Sequence, residues 1–136
     1  MKTIFITGGA GFIGSNFIRY ISAKYRKIKI INFDKLTYAG LSPKFENLDP
    51  KTKYFFIRGD IADQAKLKKA FLKHKPQYVI NFAAETHVDR SIHGNVRDFV
   101  RTNMEGVFNM LESVKESSFV KKFLQVSTDE VYGALS

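Results

Sequence analysis

The sequence predicts an α/β fold, a doubly wound parallel sheet truncated to about five strands. Three observations predict it. Short β-branched and aromatic runs alternate with segments of helical periodicity, the first run meets a cluster of glycines at once, and no Pro- or Ser-rich linker divides the chain. Such alternation implies right-handed crossovers and a sheet covered on both faces. The 136 residues suffice for one domain, 1–136, with its own core, and a hydrophobic content of 44% is ordinary for a globular protein.

Thr3-Ile4-Phe5-Ile6-Thr7 is the first strand, apolar enough to be buried on both faces. Beyond the glycines, Phe12, Ile13, Phe17, Ile18 and Ile21 recur at helical spacing. Ile28 to Phe33 is the second strand and Tyr54 to Ile57 the third, separated by a loop holding Gly40, Pro43 and Pro50. Ala65, Leu67, Ala70, Phe71 and Leu72 mark an amphipathic helix closed by His74-Lys75-Pro76. His74 sits at its C-terminus, where a cation is favourable. Tyr78 to Phe82 is the fourth strand; Val96, Phe99, Val100, Val107, Phe108, Leu111 and Val114 mark one long helix; Phe123 to Val126 is the fifth strand. The expected strand order is 3-2-1-4-5, with a ligand crevice at the carboxyl ends of the strands where the order reverses.

A formal charge of +9 makes nucleic acid a candidate partner. The basic residues are dispersed, however, through Lys24-Tyr25-Arg26-Lys27, Lys66-Leu67-Lys68-Lys69 and Lys121-Lys122, as solvated helix faces and ends without interleaved stacking aromatics. The expectation is no nucleic-acid partner, and a positive field that attracts anionic ligands such as nucleotides. Without Cys there are no disulfides or thiolate metal sites. No run approaches the roughly 18 apolar residues of a membrane span, and no leader pattern opens the chain, so a cytoplasmic protein without membrane contact is expected. His87 and His93 lack a third ligand at useful spacing, and no metal is expected.

The glycine turn, Thr7-Gly8-Gly9-Ala10-Gly11-Phe12-Ile13-Gly14, satisfies both G-x-x-G-x-x-G and G-x-G-x-x-G. Gly8, Gly11 and Gly14 permit the tight turn, a close approach to a pyrophosphate and close helix packing, while the helix N-terminus faces the phosphates. The pattern follows a strand, opens a helix, and is answered 20 positions after Gly14 by Asp34, where a carboxylate bonds adenosine ribose hydroxyls. These are the marks of a Rossmann fold. A carboxylate at Asp34 repels the 2′-phosphate of NADP and favours NAD, although Lys35 beside it leaves that choice ambiguous. At the end of the third strand, Asp60 and Ile61 either meet the adenine ring, or Asp60 or Asp63 caps the next helix; the residues leave both open.

"TGGAGFIGSNF", "DKLTYAG", "GDI", "NFAAETHVDRSI", the "TN" of Thr102-Asn103, and "STDEVYG" together resemble the N-terminal portion of the dTDP-glucose 4,6-dehydratases, NAD-dependent members of the extended short-chain dehydrogenase/reductase family. The resemblance runs over essentially the whole chain. The glycine motif is shared with nucleotide-sugar epimerases and decarboxylases; "DKLTYAG", "HVDRSI" and above all "STDEVYG" narrow it to the sugar 4,6-dehydratases. It implies that Phe12, Ile13, Asp34, Lys35, Leu36 and Thr37 contact the phosphates and adenosine ribose of NAD, and Asp60 and Ile61 its adenine. Phe82, Ala83, Ala84, Glu85 and Thr86 would run under the nicotinamide ribose and pyrophosphate, with Thr86 also near the sugar and Thr102 on the cofactor from the long helix. The chain departs from the pattern at Phe82 (usually Leu), at Thr86 (usually Ser) and in Leu41-Ser42-Pro43-Lys44, where the family continues Asn-Leu-Glu.

The implied reaction on a nucleotide-sugar substrate removes hydride from C4, eliminates water across C5 and C6, and returns the hydride to C6. It gives Glu130 the part of the base at C5, Asp129 that of the acid for the C6 hydroxyl, and Thr128 a hydrogen bond to the C4 hydroxyl. The acid must stay neutral near pH 7, which burial and an anionic neighbour favour. Adjacent strand residues point to opposite faces, so the backbone is expected to leave strand geometry near Thr128. Read without the resemblance, Ser127-Thr128-Asp129 is rather a polar turn or helix cap after a buried strand.

The family's Tyr-x-x-x-Lys pair lies after "STDEVYG". The two matches here, Tyr20 with Lys24 and Tyr25 with Lys29, fall in or just after the first helix and read as surface residues. The expectations are an incomplete NAD-binding domain lacking the later strands and sugar-nucleotide domain, inactive alone, and self-associating through the surface left exposed. A non-catalytic NAD- or partner-binding module, or another nucleotide-sugar epimerase or decarboxylase, is the alternative.

Overall fold

The five apolar runs pair into one parallel sheet. β1 (Lys2–Thr7), β2 (Ile28–Asp34), β3 (Lys53–Arg58), β4 (Tyr78–Asn81) and β5 (Lys122–Gln125) lie in the order β3-β2-β1-β4-β5, as expected. This computed structural model describes residues 1–37, 45, 47–86 and 96–133. Gly40, Pro43, His87 and His93 lie outside them. The strand ends move slightly from expectation: β2 runs on to take in Asp34, β4 stops at Asn81, and β5 stops at Gln125 rather than Val126.

Period-two alternation sends neighbouring side chains to opposite faces. Ile6 and Ile30 pack with Ile18 and Ile21 of α1 (Phe12–Lys24) on one face. Phe5, Ile31, Phe33 and Val79 pack on the other with Leu67, Ala70 and Phe71 of α2 (Gln64–His74) and with Met110. Asp63 caps α2 by accepting from the backbone N–H of Lys66 at 3.0 Å, and Lys75, at φ 44°, turns the chain out ahead of Pro76. Burial, and then the Lys29 and Lys73 charges, push the pKa of His74 below its ordinary value, which disfavours the cation at this helix end; Lys73 is the other basic residue of the last turn.

The long helix is continuous, but in three parts: α3 (Val96–Val100), a π-helical segment (Arg101–Gly106) and α4 (Val107–Lys115). The residues that mark it do not share one environment: Val114 packs against the core. Gly106, Asn109, Met110 and Ser113 face the core, whereas Phe108 and Leu111 are exposed. The polar members are satisfied internally. Asn109 donates to the Ile61 carbonyl at 3.2 Å, and the Ser113 hydroxyl donates to the Asn109 carbonyl at 2.7 Å. Val96, Val100, Met104, Phe108 and Leu111 are left as an exposed apolar stripe along the opposite side. Phe12 and Ile13 are 77% and 63% exposed. They lie in the first turn of α1, ahead of the part that packs on the sheet.

At the carboxyl ends of the three central and outer strands a polar chain replaces apolar packing. Thr7, Asn81 and Gln125 are mutual partners in the β1–β4–β5 register. The Thr7 hydroxyl donates to Asn81 Oδ1, and Asn81 Nδ2 donates to Gln125 Oε1 at 2.8 Å. Thr7 and Asn81 are fully buried, so the bond between them stands where water does not compete, whereas Gln125 at the sheet edge is exposed.

Candidate functional site

The sheet order reverses between β1 and β4, and a cleft opens there at the carboxyl ends. It is lined by the glycine turn, the exits of β2 and β3, the segment after β4 and Thr102. Gly8 sits at φ +66°, and a Cβ on it would lie 2.6 Å from the backbone nitrogen of Ala83. Glycine therefore lets the turn close onto the chain leaving β4. A Cβ on Gly9 would strike the buried Asn32 side chain, and one on Gly14 would strike the Gly8 carbonyl, so both permit close packing of α1 on the sheet. Gly11 is different. Its φ is −73°, and the nearest atom to an added Cβ is Gly8 O at 3.3 Å, a tight contact but far looser than the overlaps at Gly8, Gly9 and Gly14. It borders the cleft as the N-cap of α1 and offers no side-chain cap, which leaves first-turn N–H groups open to an anion.

Asp34 ends β2 at 9% exposure. Its Oδ2 accepts from Ala10 N–H and its Oδ1 from Leu36 N–H, both at 2.8 Å, so the carboxylate is fixed between the glycine turn and its own loop. Leu36 adopts φ 55°, the conformation that places its N–H on the carboxylate. The open reading at β3 resolves in part: Asp63, not Asp60, caps α2. Asp60 instead accepts from Ala62 N–H at 2.9 Å and pairs with Lys35 at 3.0 Å and Arg101 at 3.6 Å. Burial pushes its pKa up, but the Ala62 N–H, Lys35 and Arg101 outweigh that and hold it below the ordinary carboxylate range. Ile61 is buried in the core, packed under Gly106, with the cleft at its edge.

Beyond β4, Phe82, Ala83, Ala84 and Glu85 line the cleft. Sequence reasoning missed what holds this segment. Asn103, in the π-helical segment, accepts from Glu85 N–H and donates to Glu85 C=O, each at 2.9 Å. One amide thus satisfies both main-chain groups of a residue outside any strand. Local widening of a helix is a common device at functional sites, and here it carries Thr102 to the cleft and Asn103 to the strand exit. The signal was present in the "TN" pair, of which only Thr102 was given a part.

The structure brings together at one cleft Gly8, Gly11, Asp34, Lys35, Thr37, Asp60, Ile61, Phe82, Ala83, Ala84, Glu85 and Thr102, and adds Phe33 and Gly59. Phe12, Ile13, Gly14, Leu36, Thr86 and Thr128 are outside its lining. Val126 N–H donates to Asn81 C=O at 3.1 Å, after which the chain leaves the sheet and Asp129–Tyr132 form a single 3₁₀ turn. Strand geometry therefore ends before the two carboxyl residues, and successive positions are turned by about 120° rather than about 180°. Thr128 is exposed just ahead of that turn.

Lys24 Nζ does bond the Tyr20 hydroxyl, at 2.6 Å, and that hydroxyl holds the ammonium above its ordinary pKa. The pair is exposed on the last two turns of α1, roughly 12 Å or more along the helix from the glycine turn. Among the described residues no three His, Cys, Asp or Glu side chains converge as a metal set, and no helix is long and apolar enough to cross a membrane.

The family model described as GDP-mannose 4,6 dehydratase matches residues 5–136. A dTDP-glucose 4,6-dehydratase of Xanthomonas campestris pv. campestris is 43% identical over 145 residues, covering 99% of this chain and 40% of the relative. The crystal structure of dTDP-glucose 4,6-dehydratase from Bacillus anthracis in complex with NAD superposes with a TM-score of 0.83 at 40% identity, covering 100% of this chain and 40% of that one. UDP-glucose 4-epimerase of Thermotoga maritima, solved with UDP-glucose, gives 0.75 at 31% identity, over 93% and 38% of the two chains. The chain spans about 40% of the length of the curated relatives it matches.

Proposed function

The chain belongs to the GDP-mannose 4,6 dehydratase family, and from that premise we propose that it forms the NAD-binding and dehydrating part of a dTDP-glucose 4,6-dehydratase. The observation that carries the reading is Gly11. An added Cβ would meet one atom of the protein, the Gly8 carbonyl oxygen at 3.3 Å, and otherwise only open space, and the residue borders a cleft at the sheet's switch point beneath an uncapped helix. A pyrophosphate there would meet the first N–H groups of α1, with the adenosine ribose toward Asp34 and the nicotinamide half over Phe82–Glu85.

Bound NAD would supply the hydride acceptor for C4 of the sugar and the hydride donor for C6. Thr128 hydrogen-bonds the C4 hydroxyl and orients it. With a ketone at C4 the C5 proton becomes acidic, and Glu130 removes it. Asp129 gives its proton to the departing C6 hydroxyl, which leaves as water. The oxidation base is not among these residues, since neither Tyr-x-x-x-Lys match lies at the cleft. A polypeptide of these 136 residues is therefore expected to bind NAD saturably in a calorimetric titration and to form no 4-keto product from dTDP-glucose. Absent NAD binding, or turnover by the chain alone, would overturn the reading.

The likeness to UDP-glucose 4-epimerase favours a second reading, C4 epimerisation, which shares the oxidation but loses no water. A 6-deoxy product from the whole-length enzyme separates the two. We also propose self-association through the exposed stripe of Val96, Val100, Met104, Phe108 and Leu111. In sedimentation velocity the mass of the wild-type chain should rise with concentration, and Met104→Glu with Phe108→Glu should hold it at the monomer. A wild type that stays monomeric throughout would rule this out.

A further inference from the structure

Three charged side chains meet at one rim of the cleft, each from a different element. Lys35 is the first residue beyond β2, Asp60 lies two beyond β3, and Arg101 opens the π-helical segment. Asp60 Oδ2 takes both cations, Lys35 Nζ at 3.0 Å and Arg101 Nη2 at 3.6 Å, while its Oδ1 is held by Ala62 N–H. The cluster adjoins Asp34, because Gly59 N–H donates to the Asp34 carbonyl at 2.9 Å. The Asp34 carboxylate cannot swing to meet these cations without giving up two backbone donors. Four charges thus stand at this end of the cleft, two of each sign, and they cancel.

We propose that Asp60 selects NAD over NADP by occupying Lys35 and Arg101, the two cations that would otherwise be free to bind a ribose 2′-phosphate. The inference rests on the dinucleotide reading given above, and it resolves the ambiguity that Lys35 creates in the sequence. A carboxylate at Asp34 repels a 2′-phosphate, but a lysine at the next position is well placed to attract one. In the structure that lysine is already engaged. To serve a phosphate, Lys35 and Arg101 would have to leave a carboxylate only 15% exposed, which would then stand unpaired in a poorly solvated place. A ribose hydroxyl asks for no such rearrangement. The low pKa of Asp60 is consistent with this, since the group stays ionised, and its grip on both cations stays intact, throughout the neutral range.

Asp60→Asn tests the proposal because asparagine keeps an oxygen for Ala62 N–H and loses only the charge that binds the cations. Titration calorimetry of NAD and NADP against the 136-residue chain gives the affinity ratio. In Asp60→Asn the ratio should move toward NADP by about tenfold or more, the factor expected of freed cations facing a phosphate, and NADP binding should become more salt-sensitive. Adding Lys35→Ala to Asp60→Asn should remove most of that gain. Asp60→Ser, whose hydroxyl also accepts from Ala62 N–H, should shift the ratio in the same direction and serves if the asparagine variant does not fold. An unmoved ratio in a folded variant, with NAD still bound by the wild type, overturns this inference alone. A wild-type chain that binds neither dinucleotide overturns the proposed function, and this inference with it.

Discussion

Gly8→Ala is expected to destabilise the fold by about 3 kcal/mol or more, from a strained left-handed backbone and a forced overlap together. The φ of +66° is one that alanine adopts only at a cost, and the added Cβ would stand 2.6 Å from Ala83 N, 2.7 Å from Phe82 C and 2.8 Å from Ala83 Cα. All three are backbone atoms, so no side chain can turn aside to relieve the contact. Against a total of about 5–15 kcal/mol for a domain, the loss is large. Urea denaturation would show it as a lowered midpoint. Gly11→Ala provides the contrast. Its backbone conformation suits alanine and its nearest contact is 3.3 Å, so stability should change by less than about 1 kcal/mol. NAD affinity should nevertheless fall about tenfold or more, because the methyl group stands where a phosphate must approach. Equal destabilisation by both substitutions, or unchanged NAD binding in Gly11→Ala, would contradict the assignment.

The other large effect concerns chemistry. In a whole-length enzyme carrying these residues, Glu130→Gln should lower dehydration by about 10²–10⁴-fold, the usual worth of a positioned base. Run in deuterated water, it should also lose wash-in of deuterium at C5. Asp129→Asn should suppress the 6-deoxy product while leaving C5 exchange measurable, since it removes the acid and spares the base. If both variants lost exchange equally, the separate roles proposed for the two carboxyl groups would be wrong. The 3₁₀ turn of Asp129–Tyr132 matters here because a continued strand would send adjacent residues to opposite faces.

The sheet was legible because the strands are short apolar runs, the first three closed by Gly8, Asp34 and Gly59, and a buried parallel sheet demands such runs. Asp34 and the glycine turn were legible for a similar reason, since the fold leaves few residue types able to stand there. The face of the long helix was not. Periodicity reports that apolar residues share a side; it does not report whether that side meets the core. Asn109 and Ser113 look solvent-facing in sequence, yet they are buried because the helix and the Ile61 carbonyl satisfy them. The π-helical segment further shifts the phase between Val100 and Val107. Lys35 and Arg101, 66 positions apart, gave no sign that one carboxylate joins them. Such a meeting is a property of the chain path, which composition and spacing do not encode.

The side-chain chain through Thr7, Asn81 and Gln125 has a consequence for the order in which the molecule assembles. Its two links join residues 74 and 44 apart in sequence, so neither can close while β1 and the glycine turn are forming locally. Contacts of such separation are the slow ones in folding, because a long stretch of chain must be ordered before they give anything back. The turn that would cradle phosphate gains its firm floor only when β4 and β5 have docked beside β1. Capacity to hold a ligand is then acquired with the last strands rather than with the first, and a transient departure of β5 from the sheet edge would be felt at Thr7, two strands away.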